Sequence, residues 1–257
     1  MGQAIQAAQV LKPTVLRSLA EGDFASDVVG RRLEGFRRLG KFLLIELSDG
    51  YLMAINPMLT GALQYCPATE RVLKKACLRF SLDNGRDLRY LDDKQMGMVY
   101  YVSQHQLKEV PRLSEQGPDV LSNDLTFDQF KERLRRFQGE IKGILTRGAF
   151  LAGIGNAYSD EVLFDAGIYP FRKRASLSEE ELARLYQGIP RVLENAIGVL
   201  RSRMGEEIHV KIRDFLQVHG KGGQPCPRCG NKISSITANQ RITNYCRHCQ
   251  PGLLVRN

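Results

Sequence analysis

The sequence lacks any stretch that would direct the chain to a membrane or anchor it there. Residues 1–11 show no basic stretch followed by a long apolar one, and no run of about 18 uninterrupted apolar residues occurs. We therefore expect no secretory leader, no spanning helix and no membrane partner. The predicted location is the cytoplasm.

Histidine is scarce and internal repeats are absent. The four histidines lie far apart in the sequence, so they predict neither a metal cluster nor a catalytic triad. No repeat at the periods of solenoid proteins and no low-complexity tract is present. A repeat array is therefore excluded.

The composition is ordinary apart from an excess of positive charge. Of 257 residues, 43% are hydrophobic and 25% are charged, and the formal net charge is +9. This length exceeds the usual single-domain size, so two modest domains are expected. A basic surface attracts polyanions, which makes nucleic acid or anionic lipid the partner class to test.

Short β-strands dominate the first part of the chain. Apolar segments alternate with turn residues between positions 29 and 61, and more strand-like segments cover residues 77–82 and 98–102. Asp83-Asn84-Gly85 is a strong hairpin turn. We predict an N-terminal β-sandwich of two sheets over residues 1–118.

Helical signals begin after residue 118. Thr126-Phe127-Asp128-Gln129 has capping-box spacing and is followed by apolar residues at helical intervals. Ser178 repeats the capping signal before a second helical segment, in which Pro190 is expected to kink or restart the helix. We predict a helical domain over residues 119–219.

Four of the six cysteines form two close pairs near the C-terminus. Cys226 and Cys229 are followed, after sixteen intervening residues, by Cys246 and Cys249. Two such pairs supply the four thiolates of structural zinc, whereas redox-active pairs would need a thioredoxin-like strand and helix around them. A shell of four sulfurs leaves no position for water or substrate. The predicted Zn²⁺ therefore holds a β-hairpin and does not catalyse.

The cysteine module, predicted over residues 220–257, is strongly basic. From Lys211 to the end, eight Lys or Arg residues stand against one acidic residue. Gly220-Lys221-Gly222-Gly223 is typical of a flexible link. Arg241 lies near the tip of the predicted hairpin, within reach of a groove or a phosphate. A zinc ribbon with merely solvated charges is the alternative.

A second group of residues combines glycines with polar side chains. Gly139-Glu140-Ile141-Lys142-Gly143 and Gly153-Ile154-Gly155-Asn156 lie between helical segments, where glycine lets backbone amides approach a phosphate. Lys142 would supply charge and Asn156 a neutral donor. A glycine-rich turn with a solvated lysine is the alternative from these residues alone.

Taken together, these motifs resemble the formamidopyrimidine-DNA glycosylase and endonuclease VIII family. Lys142, residues 152–161 and residues 167–170 are similar to the family's helix-two-turn-helix element, and residues 241–246 are similar to part of its zinc finger. Upstream, residues 37–44 resemble its lysine-bearing strand and residues 56–61 its intercalation loop.

The resemblance implies a fold class, an activity and a partner. The fold would be α+β, with the sandwich followed by a helix-two-turn-helix domain and a zinc-ribbon β-hairpin. Such proteins act in base-excision repair: they flip a damaged base out of the duplex, cleave its glycosidic bond and nick the backbone by β/δ-elimination. The partner would be double-stranded DNA with damaged bases or abasic sites, bound by a monomer in the cytoplasm or nucleoid.

The resemblance also implies roles for the basic and polar residues. Lys41 would assist β-elimination and Arg241 the second elimination, although a guanidinium scarcely releases its proton and suits phosphate or base binding better. Lys142 and Asn156 would contact DNA.

Two further positions depart from the family pattern. Residues 92–97 stand where the family usually has an Arg-Phe pair, so Gln95 and Met96 are the candidate DNA contacts there. Met96 would act as an apolar wedge, because unstacking needs bulk more than aromaticity. Asn56 stands where better-known members carry histidine, and we expect it to contact DNA as well.

The family's opening tripeptide has no counterpart at the start of this sequence. The family begins Met-Pro-Glu, and its freed proline amine forms a Schiff base with the sugar, whereas this chain begins Met1-Gly2-Gln3-Ala4. One hypothesis is a glycosylase whose start site was assigned within a longer reading frame. The second is a damaged-DNA-binding protein without chemistry. A third, a basic zinc ribbon for RNA or a protein partner, is disfavoured by the helix-two-turn-helix resemblance.

Overall fold

The computed structural model describes residues 1–122, 124–238 and 241–252, which divide into two units. The first unit consists of Met1–Glu115 with the segment Met204–Lys211, and the second of Gln116–Arg203 with the residues from Ile212 onward. The division into three domains at residues 118 and 219 stays a prediction.

Two antiparallel-rich sheets build the first unit. The four-stranded sheet has the order β1-β7-β8-β6, and the five-stranded sheet has the order β2-β9-β5-β4-β3, in which only the β2–β9 pair is parallel. One short helix, α1 (Phe24–Asp27), precedes β3. The strands are β1 (Ile5–Val10), β2 (Leu16–Ser18), β3 (Leu33–Leu39), β4 (Phe42–Leu47), β5 (Tyr51–Asn56), β6 (Ala62–Pro67), β7 (Ala76–Leu82), β8 (Arg86–Leu91) and β9 (Met98–Ser103).

The apolar core of this unit lies between the two sheets. Ile45 and Met53 from the five-stranded sheet pack in one cluster with Leu78 and Phe80 from the four-stranded sheet. Leu44, the neighbour of Ile45 in β4, belongs to a second cluster because successive strand residues point to opposite faces. Burial on both faces explains the nearly continuous apolar run of β4, and the predicted sandwich is confirmed.

Four helices and a hairpin form the described part of the second unit. They are α2 (Phe127–Arg135), α3 (Ile141–Leu145), α4 (Asn156–Ala166), α5 (Glu179–Arg203), β10 (Ser234–Ala238) and β11 (Arg241–Tyr245). Helix α2 begins at the predicted capping box, where the Gln129 amide donates to Thr126 Oγ1 at 3.3 Å and the Thr126 amide donates to Gln129 Oε1 at 2.9 Å. The predicted α+β fold class is confirmed.

The sequence predicted that Pro190 kinks or restarts the helix, and α5 does not restart there. The helix runs without interruption over 25 residues with Pro190 inside it. A proline in a helix interior costs about 3 kcal/mol. Leu185, Ile189 and Leu193 are buried along one face of this helix. At about 1.5–3 kcal/mol for each buried side chain, that burial outweighs the penalty.

Gly220 is hydrogen-bonded and Gly222 is closely packed, whereas the sequence predicted a flexible link at 220–223. The Gly220 amide donates to Asn244 Oδ1 at 2.9 Å. A Cβ atom on Gly222 would lie 2.7 Å from Ser235 Cβ, so only glycine allows this approach. In the described part of the chain, no helix is long and apolar enough to cross a membrane.

Candidate nucleic-acid interface and metal centre

The four predicted zinc ligands converge in the second unit. All four Sγ atoms lie within 4.8 Å of one another, with Cys226 and Cys249 at 3.8 Å and Cys229 and Cys246 at 3.5 Å. Zn–S bonds of about 2.3 Å in a tetrahedron require sulfurs about 3.8 Å apart. The residues therefore fit a structural Zn²⁺, and the predicted ion is supported.

Backbone hydrogen bonds shape both cysteine turns around the metal centre. The Gly230 amide donates to the Cys226 carbonyl at 2.9 Å, and the Gln250 amide donates to the Cys246 carbonyl at 2.9 Å. Arg228, inside the first turn, donates to the Phe164 carbonyl at 2.8 Å and lies over the Phe164 ring. The centre is thereby attached to the C-terminal end of α4.

The start of β11 is attached to the other end of α4 through one carbonyl. The Ile242 oxygen accepts from Asn156 Nδ2 at 2.9 Å and from Lys142 Nζ at 3.1 Å. Lys142 Nζ also donates to Thr243 Oγ1 at 2.7 Å. These bonds fix the hairpin against the first residue of α4 and against Lys142 of α3.

Lys142 is a buried ion-pair partner in this structure, whereas the sequence predicted a phosphate contact. Its ammonium forms an ion pair with Asp160 Oδ1 at 2.7 Å, in addition to its hydrogen bonds to the Ile242 carbonyl and Thr243 Oγ1. Burial lowers the pKa of Lys142; Asp160 opposes this shift, and the nearby Arg241 charge reinforces it. The ammonium therefore points into the protein because Asp160 compensates for its lost hydration.

Asp160 joins three parts of the second unit. It is fully buried, and Oδ2 lies 2.7 Å from His219 Nδ1 and accepts from the Asn244 amide at 3.1 Å. The neighbouring Glu161 accepts from three successive amides, those of Gln217, Val218 and His219, at 2.8–2.9 Å. These two carboxylates tie the loop after α5 and the hairpin to α4.

Exposed Arg241 and half-buried Asn156 lie beside the N-terminus of α4, and we call this surface the basic edge because Arg241 supplies its charge. Arg241 is the first residue of β11, and its guanidinium donates to Thr146 Oγ1 at 3.3 Å. The first α4 amide to bond within the helix is that of Ser159, so the amides of Asn156, Ala157 and Tyr158 face outward. No acidic residue lies in this first turn. Outward amides, the helix dipole and a guanidinium all favour an anion here.

The candidates in the first unit meet at one end of its five-stranded sheet. Asn56 ends β5 opposite Met98, the first residue of β9, and Leu43 of β4 pairs with Ile55. Lys41, which is exposed in the turn before β4, therefore lies at the same end as Asn56. The segment 92–97, which carries Gln95 and Met96, enters β9 at this end too.

Local contacts distinguish these candidates from one another. Met96 is 42% exposed, as expected for a wedge. Gln95 accepts from the Thr14 hydroxyl at 2.6 Å, and Asn56 Oδ1 accepts from the Met58 amide at 3.4 Å. Gln95 therefore joins the segment 92–97 to the segment containing Thr14, and Asn56 orders the turn that follows β5.

Several residues of the site were not predicted from sequence. Asp160 and Glu161 lie within residues 152–161, and the signal available was two adjacent acids directly before the apolar residues Val162, Leu163 and Phe164. His219, one of the four histidines for which the sequence predicted no metal cluster and no triad, pairs with Asp160.

Three family models match the chain. The formamidopyrimidine-DNA glycosylase N-terminal domain matches residues 1–99. The formamidopyrimidine-DNA glycosylase H2TH domain matches residues 116–207, and the zinc finger found in FPG and IleRS matches residues 223–252.

Named relatives agree with these matches. The chain is 34% identical over 254 residues to the formamidopyrimidine-DNA glycosylase of Pelotomaculum thermopropionicum, covering 97% of this chain and 92% of that protein. It is 33% identical over 255 residues to the protein of the same name from Desulforamulus reducens, with the same two coverages.

Solved structures are similar over almost the whole chain. Lactococcus lactis Fpg in complex with DNA containing an abasic site has a TM-score of 0.87 at 27% identity, covering 98% of this chain and 93% of that one. The same enzyme with DNA containing N7-benzyl-Fapy-dG gives 0.87 at 27%, covering 98% and 94%.

Proposed function

Because the chain belongs to the formamidopyrimidine-DNA glycosylase family, we propose that it binds damaged double-stranded DNA and excises the damaged base in base-excision repair. Its activity by family is that of a DNA glycosylase with AP lyase chemistry. We place it as a monomer in the cytoplasm or nucleoid.

The observation that carries the proposal is the basic edge at the N-terminus of α4. The bond from Asn156 Nδ2 to the Ile242 carbonyl, at 2.9 Å, holds β11 beside the outward amides of the helix. Arg241 then stands next to a positive helix end, where a phosphate can accept from both. Phosphate contacts of this kind fix the register of a protein on the duplex.

The zinc centre supplies rigidity to this edge. Cys226, Cys229, Cys246 and Cys249 would hold Zn²⁺ through four sulfurs, and a closed shell supplies structure, not chemistry. Lys142 then acts as a positioning residue, since its ammonium binds the Ile242 carbonyl and Thr243 on β11.

The end of the five-stranded sheet in the first unit would serve the damaged nucleotide. Lys41 is exposed there, and it would supply a charge and transfer a proton during β-elimination. Met96 would fill the space that a flipped base leaves, with Gln95 and Asn56 as polar contacts to the bases. Arg241 would stabilise the phosphate during the second elimination, because its guanidinium keeps its proton.

The chemistry is tested by borohydride trapping on duplex DNA with an abasic site. The resemblance assigns the attacking amine to a Met-Pro-Glu start, and the 257 residues contain no such tripeptide. No comparison favours the noncatalytic alternative. A trapped adduct would locate the amine within these residues. Lesion-dependent binding without an adduct would support the alternative.

Binding is tested with Arg241→Ala against the matched variant Arg247→Ala, an exposed arginine of the same zinc module. We expect the chain to prefer an abasic-site duplex over undamaged duplex and over RNA. Arg241→Ala should weaken binding about ten-fold and reduce the slope of log K against log salt by about 1. Equal losses in both variants, or a preference for RNA, would contradict the proposal.

A further inference from the structure

Two connections cross from one sheet of the sandwich to the other at the same edge. Residues 57–61 join β5 to β6, and residues 92–97 join β8 to β9. Because Asn56 pairs with Met98 in one sheet and Ala62 pairs with Leu91 in the other, the two connections run side by side.

One buried carboxylate bridges these two connections. Asp92 is 1% exposed and accepts from the Thr60 hydroxyl of the neighbouring connection. Its Oδ2 accepts from the Gly97 amide at 2.7 Å and from the Tyr90 hydroxyl at 3.4 Å. The Lys94 amide donates to Thr60 Oγ1 at 3.2 Å, which closes a second link.

The packing around Asp92 allows no side chain at the two nearest glycines. A Cβ on Gly97 would lie 1.9 Å from the Tyr90 hydroxyl and 2.9 Å from Asp92 Oδ2. A Cβ on Gly61 would lie 2.4 Å from the same hydroxyl. Burial and the nearby Asp92 charge raise the pKa of Tyr90, so its hydroxyl remains a donor.

Both connections expose apolar side chains, and the second also exposes the charged residues Asp93 and Lys94. Met58 and Leu59 are 47% and 56% exposed on the first, and Met96 is 42% exposed on the second. Met58 and Gln95 adopt positive φ angles of 46° and 51°, which non-glycine residues hold only when their surroundings impose them.

We propose that Asp92 is a positioning residue that couples the two connections, so that Met58, Leu59 and Met96 enter the duplex as one rigid wedge. This inference rests on the proposed function. Unstacking a base step costs a few kcal/mol. Inserted side chains can keep the bases unstacked only if the connections that carry them are not displaced one at a time. A carboxylate shared by both connections supplies this resistance.

The test uses 2-aminopurine placed opposite a tetrahydrofuran abasic-site analogue, since this base fluoresces when it is unstacked. Thr60→Val removes the hydroxyl that joins the connections while keeping the side-chain shape, and Asp92→Ala removes both arms. Ser81→Ala is the matched control, because Ser81 donates to another buried carboxylate, Asp87, at 3.0 Å in the same unit.

At saturating protein, we expect both test variants to lose most of the fluorescence rise and about ten-fold in preference for the abasic-site duplex. Asp92→Asn, which keeps an acceptor, should recover part of the signal. Ser81→Ala should keep the wild-type signal even where its thermal stability falls.

Two failures are distinguishable. A wild-type chain without preference for the abasic-site duplex would overturn the proposed function itself. A wild-type preference that Thr60→Val and Asp92→Ala both retain, with an undiminished fluorescence rise, would overturn the role of Asp92 alone. Should Asp92→Ala fail to fold, Thr60→Val still decides.

Discussion

At the residue scale, Asp87 shows how a fully buried carboxylate stays charged in the first unit. It accepts from Arg79 Nε at 2.6 Å, from Arg89 Nη2 at 2.7 Å and from Ser81 Oγ at 3.0 Å. Burial raises the pKa of Asp87, but the hydrogen bonds from the two arginines and the serine outweigh it, so the net shift is downward. Arg89 is itself fully buried, so neither charge can be hydrated instead.

This lowered pKa gives a definite pH dependence. The stabilisation by Asp87 is present above the pKa of the carboxyl in the unfolded chain and is lost as pH falls through the lower folded pKa. The free energy of unfolding of the wild type should therefore exceed that of Asp87→Asn at pH 7, and the difference should shrink below about pH 4. Urea titrations at several pH values measure it, with exposed Asp83→Asn as the control. A constant difference down to pH 2 would contradict the assignment.

Residue types alone predicted the parts of the site whose chemistry is local. Four cysteines at knuckle spacing have few other uses, and the structure brings their sulfurs together. Asn156 and Arg241 stand in motifs that constrain them, and their contacts with DNA stay predictions. The burial of Lys142 could not be predicted this way, because its partners Asp160 and Thr243 come from other elements of the second unit. A lysine looks the same in sequence whether its ammonium meets a phosphate or a buried aspartate.

At the scale of elements, α4 is the helix to which the zinc module is hydrogen-bonded. Its first residue binds β11, Asp160 and Glu161 in its middle bind the hairpin and the loop at 217–219, and Arg228 reaches its last turn. Because α4 contacts the zinc module at its first residue, in its middle and in its last turn, the module has little freedom to rotate about the helix.

Glu161→Gln should loosen the loop at 217–219 without unfolding the second unit. The glutamine would present an NH2 group to amides that are themselves donors, leaving at least one unsatisfied at a cost of about 1–3 kcal/mol. Hydrogen exchange of the Gln217, Val218 and His219 amides should therefore accelerate. Glu194→Gln, an exposed change on α5, is the control. Unchanged exchange at these amides would argue against their stabilisation by the Glu161 carboxylate.

The start of a helix could be predicted where a capping box marks it, because the residues of the box are close together in sequence. The capping boxes at Thr126 and Ser178 place helix starts within four residues of sequence. The outcome at Pro190 depends on side chains that this helix buries, and local sequence contains no measure of that burial. The contacts of Gly220 and Gly222 could not be predicted either, because their partners Asn244 and Ser235 lie in the hairpin and not in the local sequence.

At the scale of the whole molecule, zinc removal should separate the contributions of the two units. Metal binding free energy is folding free energy for a module of this kind. Chelation should lower the thermal transition of the second unit and abolish the preference for abasic-site duplex, while the first unit keeps its own core. Differential scanning calorimetry and a binding titration measure both effects. Zn²⁺ should restore them and Mg²⁺ should not; an apo chain with intact preference would contradict the structural role.

Net charge and sheet content could be read from composition and alternation, but the meeting of candidates at one sheet end could not. Lys41, Asn56 and Met96 come together only through the pairing of β4, β5 and β9. The register between strands distant in sequence depends on which strand faces are buried together. Those faces are known only when all strands of the two sheets are in place.

The attachment of β11 to α4 uses the Ile242 carbonyl, while the Ile242 side chain is 47% exposed. Every amino acid carries that oxygen, so the contact is indifferent to the side chain at position 242. The position is therefore a natural attachment point for a spectroscopic label: a cysteine-linked dye there would sit one residue from Arg241 and leave the scaffold's own bonds in place.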